Sequence, residues 1–240
     1  MISLTLVGTI HRDPNGLPRL MEILERESPD IITLEMSEYS VAFREKMGPY
    51  LKGKLFQILQ SLHGKFTRKQ RGKLHRPNNP FQIGAIQAIL QALELPFEFR
   101  AVKAYCERAR ISFRCIDVSK YSWDKLKRLG DEMITEDNMR KILAFAPMDP
   151  HEELGKQRAL ARRLISRDAD QLFIEAFLHG KMGDGMVPRD RYMSLRIKEI
   201  LKDHGKTLHV GGWEHLLDDP GGKTLYGILK GLRPHRILSL

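Results

Sequence analysis

At 240 residues, with 42% hydrophobic and 29% charged side chains, the chain can bury a substantial core and has the balance of an ordinary globular protein. Its two cysteines, Cys106 and Cys115, give almost no support to a disulfide scaffold or a thiolate metal centre and suit a reducing cytoplasm. The net charge of +10 is local: nine Lys and Arg, and no Asp or Glu, lie between Lys46 and Leu93, while the remainder is close to balanced.

The first forty residues read as a βαβ unit. Ile2 to Gly8 is an apolar strand, and Asp13-Pro14-Asn15-Gly16 is a turn. Leu17, Leu20, Met21 and Leu24 carry a helical period through Glu27. Ser28-Pro29-Asp30 stops that helix, and Ile31-Ile32-Thr33-Leu34 reads as a strand buried on both faces that ends at Glu35. Helices are predicted from Ser37 to Leu62, with a break at Gly48-Pro49, from Phe81 to Leu93 and from Phe97 to Arg108. Residues 63–79 read as a basic mobile loop. The longest apolar run, Ile83 to Leu95, is interrupted by Gln87, Gln91 and Glu94 and is too short and polar for a membrane span.

Arg110 to Ile116 reads as a strand ending at Asp117, and residues 122–182 as an all-helical insertion. A helix follows from Arg189 to Leu201, with Met193, Ile197 and Ile200 on one face. Then come a strand, Thr207 to Val210, a Pro220-Gly221-Gly222 turn, a helix to Leu232 and a last strand from Arg236 to Leu240. The pattern predicts one α/β domain over 1–240, with a mostly parallel central sheet flanked by helices. The start of the chain shows no basic leader, so the expectation is a cytoplasmic protein without membrane contact.

The pattern Gly-x-x-His follows a strand twice, at Gly8-Thr9-Ile10-His11 and at Gly212-Trp213-Glu214-His215. A third copy, Gly72-Lys73-Leu74-His75, has no strand before it and is read as accidental. In open α/β sheets, ligands bind beyond the carboxyl ends of the strands. His11, Glu35, Asp117 and His215 each close a predicted strand and would converge there if the strands are parallel neighbours. Two imidazoles and a carboxylate suit a divalent metal such as Mn, Zn or Co, with His11, His215 and Glu35 as ligands. The same set suits metal-free hydrolysis, with one His as base and a carboxylate orienting it. Structural alternatives stand beside these readings: Asp117 capping the helix after Ser119, Glu35 in a salt bridge, and Arg189 paired with Asp190 or Glu199 along its helix.

Leu6-Val7-Gly8-Thr9-Ile10-His11 with Ser28 to Glu35, then Arg189-Asp190-Arg191-Tyr192-Met193, then Val210 to Leu216, resemble in that order motifs of the TraB/PrgY/GumN family, related to the Tiki metalloproteases. The resemblance implies an α/β core shared with the erythromycin-esterase and ChaN branches, and an active site of His11, Glu35, Arg189 and His215. Arg189 would stabilise an oxyanion or clamp a substrate carboxylate. Relatives differ in chemistry, from metal-dependent peptidases to metal-free esterases to haem binding, so the resemblance does not fix the reaction. The expectation is a hydrolase of amide or ester bonds acting on a small molecule or peptide. The competing expectations are a non-catalytic haem or small-ligand binder, and a protein that holds nucleic acid or another polyanion through Lys65, Arg68, Lys69, Arg71, Lys73 and Arg76.

Overall fold

The computed structural model describes residues 3–65, 83–144, 150–166, 169–181 and 186–240. The basic segment that was expected to bind polyanions, and the third Gly-x-x-His copy within it, lie outside the described residues apart from the backbone of Lys65 at a helix end. Among the described residues no helix is long and apolar enough to cross a membrane.

Five strands form one all-parallel sheet: β1 (Ser3–Thr9), β2 (Ile31–Leu34), β3 (Ser112–Cys115), β4 (Lys206–Gly212) and β5 (His235–Ser239). Their order across the sheet is β3-β2-β4-β1-β5. Burial follows that order. The middle strand β4 is buried at every residue after Lys206, and β2 throughout, as strands covered on both faces are, although Thr33, Thr207 and His209 are polar. The edge strands β3 and β5 are only half covered.

The chain leaves β1 through helix α1 (Gly16–Glu27) and skips one place before returning as β2; β4 later fills the skipped place. The connections from β1 and β4 therefore run in opposite directions, which puts the reversal of strand order between these two neighbours, the place where such sheets bind ligands. Helix α1 packs against a second helix on the same face, Phe97–Ala109. Phe97 fixes the approach: a Cβ on Gly16 would fall 2.3 Å from its ring. On the other face Leu4, Leu6 and Ile31 meet Met193, Ile197 and Ile200 of the helix Met186–Ile200, and Leu225 and Leu229 of the short helix Leu225–Leu229.

The chain divides into two compact units. The sheet unit comprises residues 1–38, 96–118 and 154–240, and a helical unit comprises 39–95 and 119–153. The all-helical stretch over 122–182 is thus divided at 153/154, and residues 39–95 join its first part. In chain order the remaining helices of the helical unit are α2 (Glu38–Lys46), α3 (Gly48–Lys65), α4 (Gly84–Ala92), α6 (Ser119–Arg128) and α7 (Glu136–Ala144), with Phe97–Ala109 as α5 between them. The break expected at Gly48-Pro49 falls between α2 and α3. Its own core joins Leu51, Leu55 and Leu59 to Ile86, Ile89 and Leu143. In the sheet unit, α8 (Pro150–Ile165) and α9 (Gln171–Lys181) precede α10 (Met186–Ile200) and α11 (Leu225–Leu229). Ala161 and Leu164 of α8 and Ile174 and Leu178 of α9 pack on Ile10, Trp213 and Leu217. Ile10 and Trp213 are interior residues of the two Gly-x-x-His motifs, so one apolar cluster seats both.

Candidate active site

The parallel register brings the two motifs together. Gly8 and Thr9 pair with Gly211 and Gly212. The glycine of the first motif is required by the second: a Cβ on Gly8 would stand 2.4 Å from Leu216 Cδ1 and 2.9 Å from the Trp213 Cα. After Gly212 the chain turns into one 3-10 turn, Trp213–Leu216, which Trp213 anchors by burial against Phe177 with ring centroids 5.5 Å apart. This turn directs His215 inward, where its side chain is 7% exposed.

His215 lies between two carboxylates. Its Nε2 is 3.0 Å from Glu35 Oε1, and its Nδ1 is 2.6 Å from Asp190 Oδ1. Asp190 is held by the backbone N–H of Leu225, which donates to Oδ2 at 2.8 Å. Burial works against a charge on His215, but Glu35 and Asp190 outweigh it and hold its pKa well above 6.5. Burial likewise opposes the Glu35 charge; His215, Arg189 and His11 reverse that, and its pKa lies well below 4.5.

Arg189 closes the network. Its Nε and Nη2 donate to Asp117 at 2.9 and 2.7 Å, and Nη2 also donates to Glu35 Oε1 at 2.7 Å. Neither helix-surface pairing expected for Arg189 occurs; Arg196 takes Glu199 instead. Nor does Asp117 cap the following helix by bonding to its interior amides. It accepts from the adjacent Val118 N–H and holds Arg189 in a two-point fork. Arg189 thus ties Asp117 to Glu35 with its Nε and Nη2.

His11 stands apart, with its side chain 58% exposed. Its Nδ1 lies 2.8 Å from Glu98 Oε1, and Thr9 Oγ1 donates to the same oxygen at 2.8 Å. Glu98 itself is buried, in the first turn of α5. Burial around the His11 ring opposes its charge, while Glu98 first, then Glu35 and Glu214, raise its pKa above 6.5. A Cβ on Gly212 would stand 3.2 Å from His11 Nε2, 3.2 Å from Glu214 Oε2 and 3.5 Å from Glu35 Oε2. The bare Gly212 Cα is therefore the floor on which His11, Glu35 and Glu214 converge. The loop after His11 is pinned by Asp13, which accepts from Arg19 and from Arg158 of α8. Within the loop Arg12 adopts a left-handed φ of 71°.

His11, Glu35, Asp117 and His215, from the ends of β1, β2, β3 and β4, thus lie around one cluster with Arg189 of α10. The residues that the sequence reading missed are Glu98, Asp190, Asp13, Arg158 and His209. Glu98 reads locally as an acidic residue complementing a helix N-terminus. Asp190 was visible only as a neighbour of Arg189. His209 offered one signal, a polar residue inside an unbroken apolar strand.

His215 turns both nitrogens to carboxylates, and both Glu35 oxygens accept hydrogen bonds, one of them from the Gly212 N–H at 2.7 Å. Among the described residues no three His, Cys, Asp or Glu side chains are placed to hold an ion. No family model, curated protein or solved structure matches the chain.

Proposed function

We propose that the protein is a hydrolase of amide or ester bonds in which His11 takes a proton from the attacking water. One observation carries this reading. In a site where the other charged groups are buried and mutually paired, His11 is half exposed, and its Nδ1 is occupied by a buried carboxylate. Glu98 fixes the ring and its tautomer and stabilises the imidazolium that forms, which leaves Nε2 to accept the proton. Glu35, held by Arg189, His215 and the Gly212 N–H, supplies a fixed negative charge beside it. His215 does not compete for the water's proton, because it is already charged and enclosed.

The resemblance of the Gly8–His11, Arg189 and Gly212–His215 segments to the TraB/PrgY/GumN family supports a hydrolytic class of reaction. We take His11 Nε2 as the base of a metal-free reaction, although the same atom would be a ligand in a metal-dependent one; the substrate class is a small ester, amide or peptide.

The test is a panel of ester, amide and peptide substrates, assayed with wild type and His11→Gln, with and without a chelator, and with added Mn, Zn or Co. The expected result is turnover by wild type that is indifferent to chelation and falls at least about a hundredfold in His11→Gln. Equal rates in the two proteins, or no turnover of any substrate by wild type, overturns the reading. Restoration of activity only by an added metal overturns its metal-free form.

A further inference from the structure

His209 is unused by the chemistry above. It lies in the middle strand and is 1% exposed. Its register partner on β2 is Thr33, so the two side chains share a face, and Thr33 Oγ1 lies 3.0 Å from His209 Nδ1. The other nitrogen, Nε2, is buried with no hydrogen-bond partner. Buried polar atoms without partners are rare in native structures, and each calls for an explanation. The direction of this one supplies it. A Cβ on Gly211 would stand 3.0 Å from His209 Nε2 and 2.9 Å from Glu35 Oε2. The two atoms therefore flank one bare Cα, and any larger residue at 211 would wedge between them.

We propose that His209 is a positioning residue for Glu35: its Nδ1 accepts the Thr33 hydroxyl proton, and its Nε2–H faces the Glu35 carboxylate, directly or through one water. The tautomer follows from the far end of the ring. With the proton on Nδ1, an Nε2 lone pair would face an anion; with the proton on Nε2, a donor faces it. Burial outweighs the raising pull of Glu35 and, with the nearby His215 cation, pushes the His209 pKa down to about 3, so the ring stays neutral. A neutral donor orients Glu35 without adding a third cation to Arg189 and His215. The functional part of the inference rests on the hydrolase reading; the tautomer does not.

The experiment uses the ¹⁵N-labelled full chain and long-range proton–nitrogen correlation of the imidazoles, with His209→Gln to assign the ring. The expected spectrum shows His209 as a neutral Nε2–H tautomer between about pH 5 and 7, with the Nε2–H resonance displaced by Glu35→Gln. An Nδ1–H tautomer, a charged ring, or a resonance indifferent to Glu35→Gln overturns the proposal. Activity adds a second reading. Gln at 209 keeps a donor near the Nε2 position, whereas Asn keeps only the Nδ1 position. His209→Asn should lower kcat about ten- to a hundredfold at unchanged KM, with His209→Gln recovering most of that loss. Equal losses in both variants, in step with equal losses of melting temperature, would mark His209 as structural only and overturn it. If wild type turns over no substrate, the hydrolase reading fails while the spectrum still decides the tautomer.

Discussion

His11 Nδ1 and Glu98 Oε1 are 2.8 Å apart, although 87 positions separate them in the chain. The pair joins the end of the first strand to the first turn of α5. It also sets the protonation of the one accessible base. Because Glu98 raises the His11 pKa above 6.5, kcat/KM should climb with pH through an inflection above that value. Glu98→Gln removes the charge that holds the proton, and partial burial then pushes the pKa down. The inflection should move to lower pH while the plateau falls about a hundredfold, measured as a pH–rate profile on the best substrate of the panel.

Arg189 carries a stability prediction. Its partners Glu35 and Asp117 have side chains 8% and 7% exposed, so Arg189→Ala strands buried Asp117 and leaves Glu35 to His215 and the Gly212 N–H. The cost should be about 3–5 kcal/mol in denaturant unfolding. Arg196→Ala, which breaks only the exposed pair with Glu199, should cost less than about 1 kcal/mol. Similar losses in the two variants would show that Arg189 is not a buried clamp.

The motif glycines are predicted to fail in different ways. Gly212 has φ −62° and ψ 145°, a conformation alanine adopts freely, so Gly212→Ala should fold. Its methyl would occupy the space beside His11 Nε2 and Glu35, and kcat/KM should fall at least about tenfold with little change in melting. Gly8→Ala instead drives a methyl into the Trp213 backbone and should cost about 1–3 kcal/mol of stability. Thermal melts and kinetics on both proteins separate the two effects.

The Glu35–His215 pair predicts a bell-shaped stability profile. The folded pKa of Glu35 is depressed, so its contribution is complete above 4.5 and is lost as pH falls through the lower folded value. The folded pKa of His215 is raised, so its contribution is complete below 6.5 and is lost as pH rises through the higher folded value. Both contributions are whole between those two limits. Unfolding free energies across pH should therefore decline toward alkaline pH in wild type, and His215→Asn should shrink that alkaline decline to the share that His11 contributes while lowering stability overall.

Much of the fold and half of the site could be read in the chain. The run Ile31-Ile32-Thr33-Leu34 before Glu35 marked both that strand's bounds and its burial, because a parallel strand covered on two faces is rich in such residues. His11, Glu35, Asp117 and His215 were found by the same logic, since a polar residue that closes such a run marks the sheet's carboxyl edge. Arg189 was placed by likeness to a motif, but its partners were misjudged: helix spacing offers Asp190 and Glu199, while the fold offers Asp117, 72 positions away, and Glu35, 154 away.

Hydrophobic period, turn chemistry and strand ends act over a few residues, and the sequence by itself therefore determined the parallel α/β core and the residues at its rim. Which of those residues are buried clamps, which is an open base, and that Glu98 and His209 belong among them, only the tertiary structure decided. Protonation and pairing depend on which charges share a low-dielectric space, and the strand order that puts β4 between β1 and β2 creates that space from segments about 200 residues apart in sequence.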